Sequence, residues 1–236
     1  VGGAGDFGLY SMGFGKCMPI GDGGIICTKD TFVDDLEKTL ATIKTKHSKW
    51  GVFSLGEFLA YGMATTPAGW WAVFRSPWNP AKQEMQINFL PEIKVSEFNA
   101  VQAGIGKSIL KRTSQINRIR QENAHSLKGI LAGIEFVNLP EITSNTDPIY
   151  LRFPVIVDTK SNADELYCQL SKAGIGVSKS YTYTLPDLFS DASFLKAAQF
   201  NGARKLANCL LTLPTHSYVK ADDLLLIQNI FESFEF

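Results

Sequence analysis

The residues best suited to chemistry lie near the start of the chain. Tyr10-Ser-Met-Gly-Phe-Gly-Lys16 is followed by Gly21-Asp-Gly-Gly24 and the apolar run Ile25-Ile-Cys27, so one lysine stands in a nest of glycines. Gly13 and Gly15 permit backbone conformations closed to other residues and let a bulky ligand come close. Ser11 offers a hydroxyl, and successive backbone N–H groups in such a loop suit an anion such as phosphate. A lysine amine kept uncharged by burial is a nucleophile that condenses with carbonyl groups. Lys16 and Ser11 are therefore the candidate site residues. Taken alone, the same pattern also describes a solvated lysine in a loop whose glycines only make turns.

Other reactive side chains carry weaker signals. His216, after Leu213-Pro-Thr215, is a turn residue or the lining of a cleft, and His47 and His125 fall on polar helix surfaces. Cys17, Cys27, Cys168 and Cys209 form no CxxC pair and have no histidine at ligand spacing, so neither a metal site nor a disulfide framework is expected, and a reducing cytoplasm fits. Lys107, Lys111 and Arg112, with Arg118 and Arg120, read as a solvated helix face that could also favour a pyrophosphate. Trp70, Trp71, Phe74 and Trp78 read as core or dimer packing.

The elements that must position these groups follow from periodicity. Phe7 to Thr28 reads as strand, loop, strand. A helix with a Thr31-x-x-Asp34 capping box carries Phe32, Leu36, Leu40 and Ile43 and ends by about Lys46. Residues 50 to 92, with Pro67, Pro77 and Pro80, predict irregular structure and short helices. One long or bent amphipathic helix is predicted from Ser96, with Ser96 and Glu97 at its start, to Leu131. Alternation from Ile149 to Val157 predicts a strand with Arg152 facing the other side. Next come a helix capped by Ser161-x-x-Asp164 and ending at Gly174, and a short strand at Ile175 to Ser178. The tail predicts a helix near Phe194 to Leu206, a strand Cys209 to Leu213 and a helix from Ala221 to Phe231. An α/β piece up to the long helix and a smaller α+β domain after it are the expected division.

Composition narrows the function classes. The 236 residues are 45% hydrophobic and 19% charged, as in ordinary globular domains rather than disordered chains. Lys and Arg total 23 against 23 Asp and Glu, which removes the charge argument for a nucleic-acid partner. No apolar stretch approaches the ~18 residues of a membrane span. The opening Val1-Gly-Gly-Ala-Gly-Asp6 is neither a native start nor a signal peptide, so a preceding segment is expected.

Gly5-Asp-Phe-Gly-Leu-Tyr-Ser-Met-Gly-Phe-Gly-Lys16 with Gly21-Asp-Gly-Gly-Ile-Ile-Cys-Thr28 resembles the signature of the DegT/DnrJ/StrS family of pyridoxal-phosphate-dependent sugar aminotransferases. Val95 to Ala103 leading to Asn117-Arg-Ile-Arg120 resembles that family's long helix, and Leu211-Thr-Leu-Pro-Thr-His216 with Asp222 to Ile230 its C-terminal end. The resemblance implies fold type I: residues 1–115 would be the end of the large α/β domain and residues 116–236 the C-terminal α+β small domain. It implies that Lys16 bonds to the aldehyde of pyridoxal 5'-phosphate and shuttles protons between the donor's Cα and C4′ of the cofactor. Ser11 would contact the cofactor phosphate. The implied reaction moves an amino group from an amino acid, glutamate by expectation, to a keto-sugar nucleotide, in a cytoplasmic homodimer.

The family's aspartate for the pyridine nitrogen, its ring-stacking side chain and its phosphate-binding helix belong to a preceding half, so this chain alone is expected to transaminate poorly. Family dehydratases carry histidine in place of the lysine, and Lys16 speaks against dehydration. The aromatic segment 53–90 is similar to that of members linked to cell-surface polysaccharide synthesis. The competing reading is a truncated, non-catalytic module with an interaction or structural role.

Overall fold

The computed structural model describes residues 3–13, 15–21, 23–43, 51–74, 98–189 and 200–235. They fall in two compact units, Val1–Thr113 and Ser114–Phe236.

The first unit opens with a hairpin. Strand β1 (Phe7–Ser11) pairs antiparallel with β2 (Gly24–Thr28) in a register that sets Leu9 against Ile26 and Ser11 against Gly24. Lys29 ties the base of the hairpin to Asp6 at 2.8 Å, and the Phe7 and Phe32 rings lie 5.5 Å apart. A 3-10 turn, Asp30–Phe32, leads into α1 (Val33–Thr42). The capping box expected at Thr31 is absent: Phe32 occupies the N-cap with no side-chain cap bond, because the turn at Asp30–Phe32 already occupies that position. The helix ends at Thr42, short of the expected Lys46.

Of the irregular structure and short helices expected over residues 50 to 92, residues 51–74 show helices. They form α2 (Gly51–Ala64) and α3 (Pro67–Phe74). No proline interrupts residues 51–66, and Thr66 and Pro67 make a favourable helix start: the Thr66 hydroxyl accepts from the Gly69 N–H at 3.1 Å, and proline suits a first helical position. Only glycine fits at position 69, where a Cβ would come within 1.9 Å of the Met63 carbonyl oxygen. Trp78 and the side chains of Trp70, Trp71 and Phe74 lie outside what is described.

The helix expected as one long or bent element is two. Helix α4 (Ala100–Leu110) and α5 (Thr113–Leu131) are separated at Lys111-Arg112, where the Arg112 N–H bonds to the Ile109 carbonyl at 2.9 Å. Ser96 and Glu97 lie outside the described residues. The start of α4 is capped by Asn99, whose side chain accepts from the Gln102 N–H at 2.9 Å while Gln102 accepts from the Asn99 N–H at 3.2 Å.

The second unit is a four-stranded antiparallel sheet with helices on one face. Strands β3 (Val137–Asn138), β4 (Phe153–Val157), β5 (Ser178–Lys179) and β6 (Leu210–Leu213) lie in the order β3-β4-β6-β5. Phe153, Val155 and Val157 alternate onto the buried face with Leu211 and Leu213. Against them lie Ala163, Leu166 and Leu170 of α6 (Lys160–Lys172), Leu127 and Leu131 of α5, and Ile227 and Phe231 of the last helix, Ala221–Glu232. Each of the Val, Leu, Ile and Phe side chains among these contributes about 1.5–3 kcal/mol by leaving water. The short α7 (Leu185–Leu188) and α8 (Asn201–Cys209) precede β6, and the last helix is α9. Residues 194–199 of the helix expected at Phe194 to Leu206 lie outside the described residues.

Three boundaries differ from expectation. The strand expected from Ile149 begins only at Phe153, because Tyr150 sits at φ +46 and the carbonyls of Tyr150 and Leu151 bond to Thr215 and Arg120 rather than to a ladder. Helix α6 is capped by Thr159, not Ser161: the Thr159 hydroxyl accepts from the Asn162 N–H at 3.2 Å. The strand expected at Ile175 to Ser178 pairs only at Ser178–Lys179. Among the described residues no helix is long and apolar enough to cross a membrane.

Candidate functional site

The twelve residues between β1 and β2 would ordinarily make a long floppy connection. Here the ladder continues past the strands: the Met12 N–H bonds to the Gly23 carbonyl and the Ile20 N–H to the Met12 carbonyl, both at 2.9 Å, and Gly13 bridges Gly21. Met12 and Ile20 are 4% and 3% exposed, so both ends of the inner loop are anchored by buried apolar side chains. A Cβ on Gly106 of α4 would be 3.5 Å from the Ile20 side chain, which places this helix against the anchor. The Tyr61 hydroxyl of α2 accepts from the Gly15 N–H at 3.1 Å, and Gly15 itself has φ +81, where a side chain would be strained. Hairpin, α2 and α4 together hold the loop that carries Lys16.

Both predicted site residues belong to this one feature. Ser11 ends β1 and is exposed; Lys16 is exposed near the tip of the loop, its N–H bonded to the Gly13 carbonyl at 3.2 Å. The burial invoked to activate Lys16 is thus not supplied here by the described residues. The donor set still matches two ends of an aldehyde-bearing phosphate ester: a primary amine for the carbonyl carbon, and a hydroxyl five residues earlier for an anion.

A second polar cluster lies in the Ser114–Phe236 unit, and the sequence signals it only in part. By sequence Arg120 belongs to a solvated basic face. Lys107, Lys111, Arg112 and Arg118 are indeed exposed, but Arg120 turns inward and donates to the Leu151 carbonyl at 2.7 Å and the Thr215 hydroxyl at 3.3 Å. Thr215 is fully buried and donates to the Tyr150 carbonyl at 2.6 Å. Asn123 caps the turn by donating to the Thr215 and His216 carbonyls. Arg152 donates from Nε to the Thr212 hydroxyl at 2.7 Å and from Nη2 to the Thr212 and Gly176 carbonyls. Burial, and then the like charge of Arg120, lowers the Arg152 pKa. The surrounding protein, then Arg120 and Arg152, lowers that of His216, whose ring meets Tyr218 edge-on at 5.9 Å. Thr212 and Ser178, in their strands, and Ser180, just beyond β5, carry no local sequence signal.

The pattern of the DegT/DnrJ/EryC1/StrS aminotransferase family matches residues 86–233, more than half of the chain. That span begins after the Lys16 loop. No curated protein sequence matches the chain. Solved structures similar in fold include the sugar aminotransferase CalS13 from Micromonospora echinospora, with 20% identity and a TM-score of 0.64 over 100% of this chain and 54% of that one. The aminotransferase TlmJ from Streptoalloteichus hindustanus aligns with 20% identity and a TM-score of 0.62 over 97% of this chain and 52% of the other. GDP-4-keto-6-deoxy-D-mannose-3-dehydratase from E. coli, a structure with bound hydrated PLP, aligns with 16% identity and a TM-score of 0.62, covering 98% and 55%. The chain thus spans about half the length of these structures and carries that part of the fold type I architecture.

Proposed function

The chain belongs to the DegT/DnrJ/EryC1/StrS aminotransferase family, and from that premise we propose that it contributes the lysine loop and small domain of a pyridoxal-phosphate-dependent sugar aminotransferase. In this reading residues 1–115 complete a large cofactor domain and residues 116–236 form the small domain. The observation that carries the proposal is the pinned loop, which fixes a primary amine and a hydroxyl on one hairpin end, 3-D anchored by Met12 and Ile20.

The residues present fit two parts of the cofactor by their chemistry. Lys16 Nζ would hold the aldehyde carbon, and Ser11 Oγ the phosphate. No described residue is assigned to the ring nitrogen. When bound, the cofactor supplies an electron sink for the carbanion that forms as a proton leaves the donor's Cα. Lys16 Nζ would take up the proton from the donor's Cα and deliver it to C4′ of the cofactor, on the far side of the intervening nitrogen, a short transfer that one flexible amine could make. The Met12–Gly23 and Tyr61–Gly15 hydrogen bonds hold the backbone of the loop from which Nζ reaches. The substrates proposed are an amino acid, glutamate first, and a keto-sugar nucleotide for cell-surface polysaccharide synthesis, used by a cytoplasmic homodimer.

The test is to add pyridoxal phosphate to the purified chain, reduce with borohydride and map the labelled peptide. A phosphopyridoxyl group on Lys16, absent from Lys16→Ala, is the expected result. Labelling that is equal in wild type and Lys16→Ala overturns the assignment and leaves the non-catalytic module.

A further inference from the structure

Helix α2 has two unlike sides. At about 100° per residue, Leu55, Leu59 and Met63 form one stripe, and Tyr61, whose hydroxyl holds Gly15, falls on the other side of the helix. The stripe is left in water: Leu55, Leu59 and Met63 are 44%, 58% and 67% exposed. Helices α2 and α3 pack on one another, and hydroxyls close the bend between them. Thr65 donates to the Tyr61 carbonyl at 2.9 Å and Thr66 to the Met63 carbonyl at 2.7 Å. Carbonyls at the end of α2 that would otherwise call on water are thus bonded within the hairpin, which suits a setting poor in water.

Composition sets this hairpin apart from the rest of the chain. Residues 51–74 hold a single charged residue, Glu57, and all four tryptophans of the chain, Trp50, Trp70, Trp71 and Trp78, fall within or beside them. On either side the sequence is basic: Lys44, Lys46 and Lys49 precede, Arg75 and Lys82 follow, and Glu57 is the one acid from Lys44 to Gln83. The whole chain balances 23 bases against 23 acids, so this surplus is local. Apolar helices flanked in sequence by lysine, arginine and tryptophan match the layers of a bilayer surface, acyl chains below and anionic headgroups above. Lysine is depleted at protein interfaces, so the basic flanks favour lipid over a second copy of the chain. Length decides between crossing and lying flat. Helix α2 has 14 residues and α3 has 8, about 21 and 12 Å of helix against about 30 Å of hydrocarbon.

We propose that α2 and α3 seat the protein on an anionic membrane surface, lying in the headgroup layer with Leu55, Leu59 and Met63 toward the acyl chains and the flanking bases toward lipid phosphates. The seated face is separate from the Lys16 loop, which α2 meets from its other side through Tyr61. The inference is independent of the cofactor reading, and it adds a surface on which that chemistry takes place.

The test mixes the intact chain with vesicles of phosphatidylcholine alone and of phosphatidylcholine with phosphatidylglycerol, and follows tryptophan emission and cosedimentation. Because every tryptophan lies within residues 50–78, emission reports on this segment alone. Binding to the anionic vesicles with a blue shift, weakening as salt is added, is the expected result. Leu55→Ser, Leu59→Ser and Met63→Ser together should lower the partition coefficient by about a hundredfold, roughly fivefold for each half-exposed side chain. Lys44→Gln, Lys46→Gln and Lys49→Gln together should weaken binding to the anionic vesicles by about a hundredfold, roughly fivefold per lysine, and leave the neutral ones unchanged. These lysines precede α2, so this second variant tests the surface without touching the helices. No emission shift on anionic vesicles, equal affinity for the two compositions, or wild-type affinity in either variant overturns the inference. So does a wild type that ignores vesicles while its oligomer dissociates in the serine variant, which would put a second copy of the chain on this face. Reductive labelling of Lys16 without vesicles reads the cofactor assignment separately.

Discussion

Replacing Thr215 with valine tests whether the buried polar seam at the end of β6 holds the small unit together. The side chain is fully buried, and its hydroxyl does two jobs: it donates to the Tyr150 carbonyl at 2.6 Å and accepts from Arg120 Nη1 at 3.3 Å. Thr215→Val keeps the volume and removes both. A net neutral bond is worth about 1 kcal/mol, a bond from a charged donor somewhat more, and a buried carbonyl left bare costs about 1–3 kcal/mol. Arg120 keeps its bond to the Leu151 carbonyl, so the total expected loss is about 2–3 kcal/mol. Thr215→Ser keeps the hydroxyl and loses one methyl, about 0.8 kcal/mol plus a small cavity. In urea unfolding followed by circular dichroism, the valine variant should lose roughly 1 M in midpoint at unchanged slope, and the serine variant clearly less. A valine variant within about 0.5 kcal/mol of wild type, or a serine variant that is the more damaged, would refute the seam as a source of stability.

Further expectations can be checked in parallel. Phe231→Ala empties a site at 1% exposure against Phe136 and should cost about 3–5 kcal/mol, read as a lower thermal midpoint of the same unit; a change under about 1 kcal/mol would contradict the packing. Gly15→Ala places a side chain at φ +81, costing about 1–2 kcal/mol of local strain, and should reduce reductive labelling of Lys16 without unfolding the small unit, as protease mapping of the loop would show. The carboxyl of Asp164 is held below its ordinary pKa, first by its hydrogen bond to Lys179 and then by that to Lys160. A depressed folded pKa means the unfolded chain binds the proton more readily, so this stabilisation is present above about pH 4 and is lost as acid titrates the folded group. Thermal midpoints measured between pH 7 and pH 2 should therefore fall less steeply in Asp164→Asn, and parallel curves would count against the pairing.

Much of the small unit was legible from periodicity. Leu166 and Leu170 mark α6, Ile227 and Phe231 mark α9, and Leu211 and Leu213 mark the strand, because one buried face repeats every 3.6 or every 2 residues whatever lies opposite. Caps were less legible. Ser161 and Thr159 are both good N-caps, and the choice fell to the residue whose hydroxyl meets the Asn162 N–H. The break between α4 and α5 carries neither proline nor glycine, only Lys111-Arg112. Alternation from Ile149 overstated the strand because half-burial of Ile149 and Leu151 mimics a ladder while Tyr150 turns left-handed.

The candidate site divides along the same line. Gly13, Gly15, Ser11 and Lys16 lie within six residues, so their chemistry could be read directly, whereas the anchoring role of Met12 and Ile20 shows only in their burial. That Tyr61 would meet Gly15 across 46 positions, or that Arg152 would find Thr212 across 60, could not. Local pattern is governed by which residues a helix or strand must bury, and each segment expresses that by itself. Contacts between distant polar groups depend on the register in which buried faces interlock, and only the packed core, with Phe153 against Leu213 and Val155 against Leu211, brings Arg152 to Thr212 and turns Arg120 inward.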